Sequence, residues 1–313
     1  MRAAAPAQPL PAAAARPKAA ATNAVGTPHW ANSLFVAPFV VVYVALLVVP
    51  LFFGWWLSLR HIDLLGDTSR FVGTRNFIDL FSDRIFRGAV WNTFRFVLMT
   101  TPAFVILGLV LALALNRPGK TGASLRAIFF GSSVLSVTIV TLVWRLVLLP
   151  NRGLLATVMS GVGLEPFAPL ASVDWALPSI AVVTVWWGVG LPMMLFLAAL
   201  QQIPGELYEA AALDNSGRWR TLFSITLPSI KRTVLLVAIY EVVLQFQLFG
   251  QATLMTQGGP NNSSRPIVQY IYDTGFRQWA LGRAAAAAQI LFLLMLVGIG
   301  LQAWIARRRE APA

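Results

Sequence analysis

The sequence predicts an all-α, polytopic membrane protein of six transmembrane helices with a cytoplasmic helix–turn–helix loop, and three observations carry that expectation. Of 313 residues, 57% are hydrophobic and only 12% charged, about half the charged share of a typical soluble domain. One water-soluble core cannot absorb that many apolar side chains, so lipid must be the solvent for much of the chain. Six apolar segments, at 34–58, 92–115, 127–149, 177–200, 233–255 and 284–306, reach the roughly 20 residues that a helix needs to cross about 30 Å of hydrocarbon. Between the fourth and fifth, residues 204–228 read as two short helices around a turn.

Taken in order, residues 1–30 are rich in Ala and Pro, carry Arg2, Arg16 and Lys18 and no acid, and read as a disordered cytoplasmic tail. An organellar transit peptide would carry more Arg and Ser, and the first apolar run is too long and too late for a cleaved signal peptide. Residues 31–306 form the six-helix domain and 307–313 a short cytoplasmic tail. Pro50, Pro102 and Pro192 fall inside spans, where neighbouring helices can re-satisfy the freed backbone groups. Lys and Arg number 13 in the two tails and the loops 116–126 and 201–232, against 9 in the three opposite loops. The short loop with Arg117, Lys120 and Arg126 votes most cleanly, so both termini are expected in the cytoplasm. Arg95 and Arg145 then lie near the outer interface, where long basic side chains snorkel. Trp55, Trp56, Trp91 and Trp144 fit an aromatic belt.

The net charge of +12 would point to nucleic acid in a soluble protein. Here the basic residues flank apolar blocks, so membrane orientation explains them and no nucleic-acid partner is expected. There is no cysteine, which excludes disulfides and thiolate chemistry. His29 and His61 stand far from other ligand-forming residues. Neither a metal nor a cofactor is therefore expected.

The loop after the fourth span is the informative stretch. Pro204 suits a helix start. Glu206, Leu207, Tyr208, Glu209, Ala210, Ala211 and Ala212 then read as a short helix with acids near its positive end. Asp214-Asn215-Ser216-Gly217 reads as a turn. Arg218 to Leu227 reads as a second helix, with Leu222, Phe223 and Ile225 available for packing, and Pro228 punctuates the return to the membrane. Small alanines on a capped helix invite a docking partner.

Glu209-Ala210-Ala211, followed at the expected distance by Ile225-Thr226-Leu227-Pro228, resembles the EAA loop of binding-protein-dependent ABC importer permeases. The flanks resemble the carbohydrate branch of that family: Leu197-Ala198-Ala199-Leu200-Gln201-Gln202-Ile203-Pro204 upstream, and Leu254-Met255-Thr256-Gln257-Gly258-Gly259-Pro260 downstream. Phe71-Val72-Gly73 with Asn76-Phe77, and Asn92-Thr93-Phe94, also fit. Asn215 departs from the pattern, which has glycine there, but asparagine visits the left-handed region more readily than most residues. The resemblance covers roughly residues 34–306.

What the resemblance implies is a bacterial inner-membrane subunit. Its loop residues Glu209, Ala210, Ala211, Asp214, Asn215, Gly217, Ile225, Leu227 and Pro228 would insert into a cleft on an ATPase subunit and couple to its closure. The expected partners are a second permease, two ATPase subunits and an external solute-binding protein. The chain contains no GxxxxGK[ST] loop, so ATP chemistry belongs to another polypeptide and the chain itself is not an enzyme.

A solute path can be sought where polar groups lie deep in the membrane. Glu241 is the one acid inside a span and intramembrane carboxylates are costly. Counting from Thr233, it lies about 12 Å deep, with Gln245 one turn further on the same face. Thr184 and Gly188 on the fourth span reach a similar depth, Gly188 leaves room beside the helix, and Trp186 and Trp187 offer flat apolar surfaces. A carboxylate, an amide and an indole suit a sugar, and the importers resembled here place their membrane solute site between these two spans. Pairing of Glu241 with another helix or with a partner subunit is the structural alternative, and packing or lipid contact the alternative for the tryptophans. Tyr240, Gln247 and Gln251 are expected on another face, toward the companion permease. Three further functions compete. One is an importer permease for a non-sugar solute. A secondary transporter would show inverted repeats and more buried charge, and a membrane-embedded enzyme would need intramembrane His, Asp or Ser/Lys clusters.

Overall fold

The computed structural model describes residues 29–63, 68–150 and 152–310, and it divides into two compact units, 1–51 and 52–313. In the first, α1 (His29–Tyr43) passes through one π turn, Val44–Val48, and helical backbone continues to Leu51. In the second unit that last helix, α2 (Val49–Ser58), ends in a two-stranded antiparallel hairpin, β1 (Arg60–Asp63) and β2 (Thr68–Phe71). The short helix α3 (Arg75–Ser82) and the long helix α4 (Arg84–Leu115) follow. The expected tail 1–30 lies outside the described residues except for its last two, which are already helical, and the last helix runs on to Glu310, with 311–313 outside.

Three stretches are long and apolar enough to cross a membrane unbroken: Val36–Ser58, Arg84–Leu115 and Leu281–Ile305. Three more qualify only as bent pairs. These are α5 (Lys120–Val134) with α6 (Val137–Val147), bent by 98°; α8 (Ala176–Gly188) with α9 (Gly190–Gln201), bent by 47°; and Arg218–Ser229 with Lys231–Phe246, bent by 66°. Counted as one span each, the pairs bring the total to the six expected. The short α7 (Leu154–Gly161) lies between α6 and α8.

The breaks have identifiable causes. At Leu135–Ser136 the chain leaves helical geometry, and Ser136 caps α6 by accepting from the Ile139 N–H at 3.3 Å. The freed Leu135 carbonyl accepts from the Trp187 indole N–H at 3.1 Å, while the Trp187 carbonyl accepts from the Ser132 and Ser133 hydroxyls at 3.2 Å each. Two broken helices thus satisfy each other's backbone, as a low-dielectric medium demands. At Gly190 a Cβ would collide with the Phe129 carbonyl, so only glycine lets α9 lie this close to α5. Gly108 plays the same part on α4, where a Cβ would come 2.8 Å from Pro192. Small residues at helix crossings are the membrane route to close packing.

The helix α4 is the axis of the second unit. Phe96 joins Val140, Leu177, Ile180 and Ala252 in one core, and Ala112 joins Met193, Phe196, Leu200, Ile230 and Val237 in a second. A third core holds Leu80, Phe86, Ala89, Ile267, Tyr270, Ala286 and Ala287. The expected straight fifth span, 233–255, is corrected. Helix α13 (Lys231–Phe246) stops, Gln247–Phe249 breaks it, and α14 (Gly250–Met255) packs its Gly250 against Val137 of α6. After it come α15 (Ile267–Tyr272) and α16 (Leu281–Glu310).

Where the first turns of α4 meet the segment 258–267, hydrogen bonds replace apolar packing. The Asn92 amide donates to the Asn262 and Arg265 carbonyls at 2.8 and 3.1 Å, and Thr93 Oγ1 accepts from the Ile267 N–H at 2.9 Å. Two segments far apart in sequence, Asn92-Thr93 and the Gly258-Gly259-Pro260 loop, therefore fold as one piece. Asp83 caps α4 by accepting from the Ile85 N–H at 2.7 Å and also accepts from the Tyr270 hydroxyl at 2.7 Å. Burial, then that carboxylate, push the Tyr270 phenol up to about 12.

Candidate solute cavity and docking loop

Helices α8 and α13 border a cavity of about 360 Å³. Thr184, Trp187 and Gly188 line one side, and Glu241 and Gln245 another, so all five residues expected from the sequence share it. Glu241 is 2% exposed and accepts a hydrogen bond from the Gln245 side-chain N–H at 2.8 Å. Among the described residues the ion pairs are Arg75–Asp79, Arg265–Asp273 and Arg277–Asp273, so Glu241 has no cation beside it. A buried carboxylate with a single amide partner leaves lone pairs for a further donor.

Four expectations are adjusted by this geometry. The Thr184 hydroxyl donates to the Ile180 carbonyl at 2.8 Å, which leaves its oxygen as an acceptor. The Trp187 indole N–H is spent on Leu135, so this ring offers only its face, while Trp186 packs edge-on against Trp144 with centroids 5.4 Å apart. The room beside Gly188 is largely taken: a Cβ there would lie 3.1 Å from the Phe104 ring. Tyr240, Gln247 and Gln251, expected on a separate face, line the same cavity, as do Ser133 and Phe104. For Gln247 and Gln251 the break after Phe246 is the reason, because neither follows the rotation of α13; Tyr240 lies within α13, next to Glu241.

At the other end of α9 stand the two helices of the loop. Helix α10 (Gly205–Leu213) ends in a Schellman cap: the Ser216 N–H donates to the Ala211 carbonyl at 2.9 Å and the Asn215 N–H to the Ala212 carbonyl at 3.1 Å. Asn215 takes φ +50°, so asparagine performs the left-handed turn. Gly217 has φ −64° and open space around it. Helix α11 (Arg218–Thr221) runs through a π turn, Leu222–Thr226, into α12 (Leu227–Ser229). Tyr208 and Thr226 tie the two arms by a hydroxyl–hydroxyl bond of 3.2 Å.

Burial sorts the loop residues. Ala211 is buried and Ile225 and Leu227 are half-buried, whereas Glu209, Ala210, Asp214, Asn215, Gly217 and Pro228 are exposed. The loop also presents apolar side chains outward: Leu213 is 86% exposed, Trp219 74% and Phe223 62%, and the last two stack with centroids 6.2 Å apart. Beside them opens a groove of about 600 Å³ between Leu113 and the second arm. Exposed aromatics at this density mark a contact surface.

A model of the family described as the inner membrane component of binding-protein-dependent transport systems matches residues 81–311. The chain belongs to this family. The inner membrane component is 38% identical to the diacetylchitobiose uptake system permease protein NgcF of Streptomyces coelicolor, over 72% of this chain and 68% of the relative. Identity is 31% with the multiple sugar-binding transport system permease protein MsmF of Streptococcus mutans, over 90% and 97% of the two chains. With the probable ABC transporter permease protein YurN of Bacillus subtilis it is 30%, over 84% and 91%. In fold it matches a chain of a bacterial alginate ABC transporter crystallised with an alginate pentasaccharide-bound periplasmic protein. That match has a TM-score of 0.79 and 21% identity and covers 91% of this chain and 96% of the other.

Sequence reasoning about this inner membrane component missed Ser133, Phe104 and Trp219, and it read Phe223 as a packing residue although its ring is exposed. For Ser133 and Phe104 no local signal exists, since both sit in apolar runs. Trp219 could have been found: a tryptophan in a basic, water-facing segment, four residues from a phenylalanine, already suggests an aromatic stripe.

Proposed function

We propose that this chain is one of two permease subunits of an ATP-driven importer for a sugar or sugar-like solute. An external binding protein delivers the solute, and two ATPase subunits dock on the loop 204–228. Both termini face the cytoplasm, as the Lys and Arg count of the short loops supports. The chain supplies the path and the coupling lever, and its sequence offers no phosphate-binding loop of its own.

The make-up of the cavity carries the sugar reading. One carboxylate, three glutamine amides (Gln245, Gln247 and Gln251), three hydroxyls (Ser133, Thr184 and Tyr240) and the Trp187 face surround it, and no lysine or arginine lines it. That mixture matches a polyhydroxylated solute, whose hydroxyls exchange hydrogen bonds while a C–H face rests on the indole. The names of the relatives, which include diacetylchitobiose and multiple-sugar systems, support the same class. On the inner side, Glu209 and the Trp219–Phe223 pair give the loop a charged anchor and an apolar one for the ATPase cleft.

The test is reconstitution. A tagged copy should co-purify with a second permease and an ATPase, and in vesicles a cognate binding protein carrying sugar should stimulate ATP hydrolysis and uptake. Repeated purification with neither partner, or uptake driven by an ion gradient without ATP, refutes the proposal.

A further inference from the structure

A second cavity, of about 190 Å³, opens at the outer end of the molecule between the β1–β2 hairpin, α3 and the start of α16. His61, Arg75 and Arg283 line it, with Asp79 as its acid. Its walls are fixed. The Asn76 amide donates to the Ser58 and Arg60 carbonyls at 2.7 and 2.9 Å, which locks α3 onto the hairpin. Gly282 lies so close to the Arg60 carbonyl that a Cβ would collide with it.

Among the described residues the basic groups of this cavity are only partly paired. Arg75 meets Asp79 through Nε at 3.3 Å, which leaves both terminal nitrogens for another acceptor. Among the described residues Arg283 has no ion pair. Two arginines lining one small cavity suit a phosphate, which each guanidinium can meet with paired N–H donors. The first-turn N–H groups of α16, beside Arg283, add donors of the same sign.

The depth of the cavity says which phosphate. The first apolar span ends at Ser58 and the last begins at Leu281, so His61 and Gly282 stand at the edge of the hydrocarbon. Trp56, with the Arg60 guanidinium 4.2 Å above its ring, and the exposed Trp279 each lie two residues from one of these span ends, the position in sequence that interfacial aromatics take. We infer that this cavity binds the phosphate of an anionic phospholipid headgroup from the outer leaflet, held between Arg75 and Arg283. The lipid would pin the outer ends of the first and last spans to each other.

The intact complex in mild detergent, titrated with phosphatidylglycerol or phosphatidylcholine and followed by native mass spectrometry, tests this. Phosphatidylglycerol should be retained in preference to phosphatidylcholine, and free inorganic phosphate should not compete at equal concentration. Arg283→Gln and Arg75→Gln, both at exposed positions, should each weaken phosphatidylglycerol retention about tenfold and leave phosphatidylcholine and subunit composition unchanged. In the wild type, high salt should release the anionic lipid selectively. Equal retention of the two lipids, or no effect of either variant and none of salt, overturns the inference. Full competition by inorganic phosphate reassigns the site to a free anion. A variant that shifts half-saturation by the binding protein while lipid retention stays unchanged reassigns it to an acidic protein contact. Both outcomes sink the lipid proposal.

Discussion

Replacing Glu241 separates a solute contact from a structural prop. The carboxylate accepts one bond, from Gln245 at 2.8 Å, and both side chains are buried. In Glu241→Gln an amide oxygen can still receive the Gln245 N–H. The fold then loses only the difference between a charged and a neutral hydrogen bond, about 1 kcal/mol. In Glu241→Leu the Gln245 amide is stranded in a dry site, which costs about 1–3 kcal/mol. If a solute hydroxyl also donates to the carboxylate, the glutamine variant gives up the same difference, about 1 kcal/mol, on that bond, so uptake should fall roughly fivefold. The assay is solute uptake in vesicles beside ATPase activity stimulated by the binding protein, with thermal unfolding as the control. The expected pattern is Glu241→Gln assembled, near wild-type in unfolding and ATPase response, and poor in uptake, with Glu241→Leu poorer in both. Normal uptake in the glutamine variant would refute the solute contact. Equal loss of assembly in both variants would make Glu241 a structural residue.

Further outcomes follow from the loop, the packing and the start of α4. Glu209→Lys should insert normally yet abolish transport and ATPase stimulation together, and Trp219→Ala should weaken ATPase co-purification, since both groups face outward; a fully active Glu209→Lys protein rules out the coupling role. Gly190→Ala drives a methyl group into the Phe129 carbonyl and should cost about 1–3 kcal/mol, the usual penalty of overpacking, read as a lower unfolding midpoint; an unchanged midpoint means α5 and α9 are not held at this distance. Tyr270→Phe removes a donor to Asp83 and should destabilise the contact between α15 and the start of α4 by about 1–3 kcal/mol, detectable as faster hydrogen exchange at the start of α4. Reporter fusions after Lys120 and Arg309 should read cytoplasm, and one after Val173 the outside; any inversion overturns the orientation.

The sequence by itself determined the number of spans, because hydrocarbon thickness sets a length that local hydrophobicity must meet. It also determined the helix–turn–helix of residues 204–228, because caps and turns are local: Pro204, Asn215 and Pro228 act on backbone within a few residues of themselves. Even the departure at Asn215 was legible, since left-handed geometry is a property of the residue type. Glu241 stood out because one carboxylate in an apolar run has no cheap explanation.

Only the tertiary structure decided where the spans break and which polar groups meet. Leu135 and Ser136 look like any point in an apolar stretch, and a helix can end there because the Trp187 indole, 52 residues away, takes the exposed carbonyl. Gly190 and Gly188 read alike in sequence, yet one admits a neighbouring backbone and the other abuts the Phe104 ring. Gln251 joined the cavity of Glu241 only because the chain breaks after Phe246. A local pattern reports how each residue meets lipid or water. Hydrogen bonds and close approaches between distant helices depend on where the partner stands, and that is settled only when the helices pack.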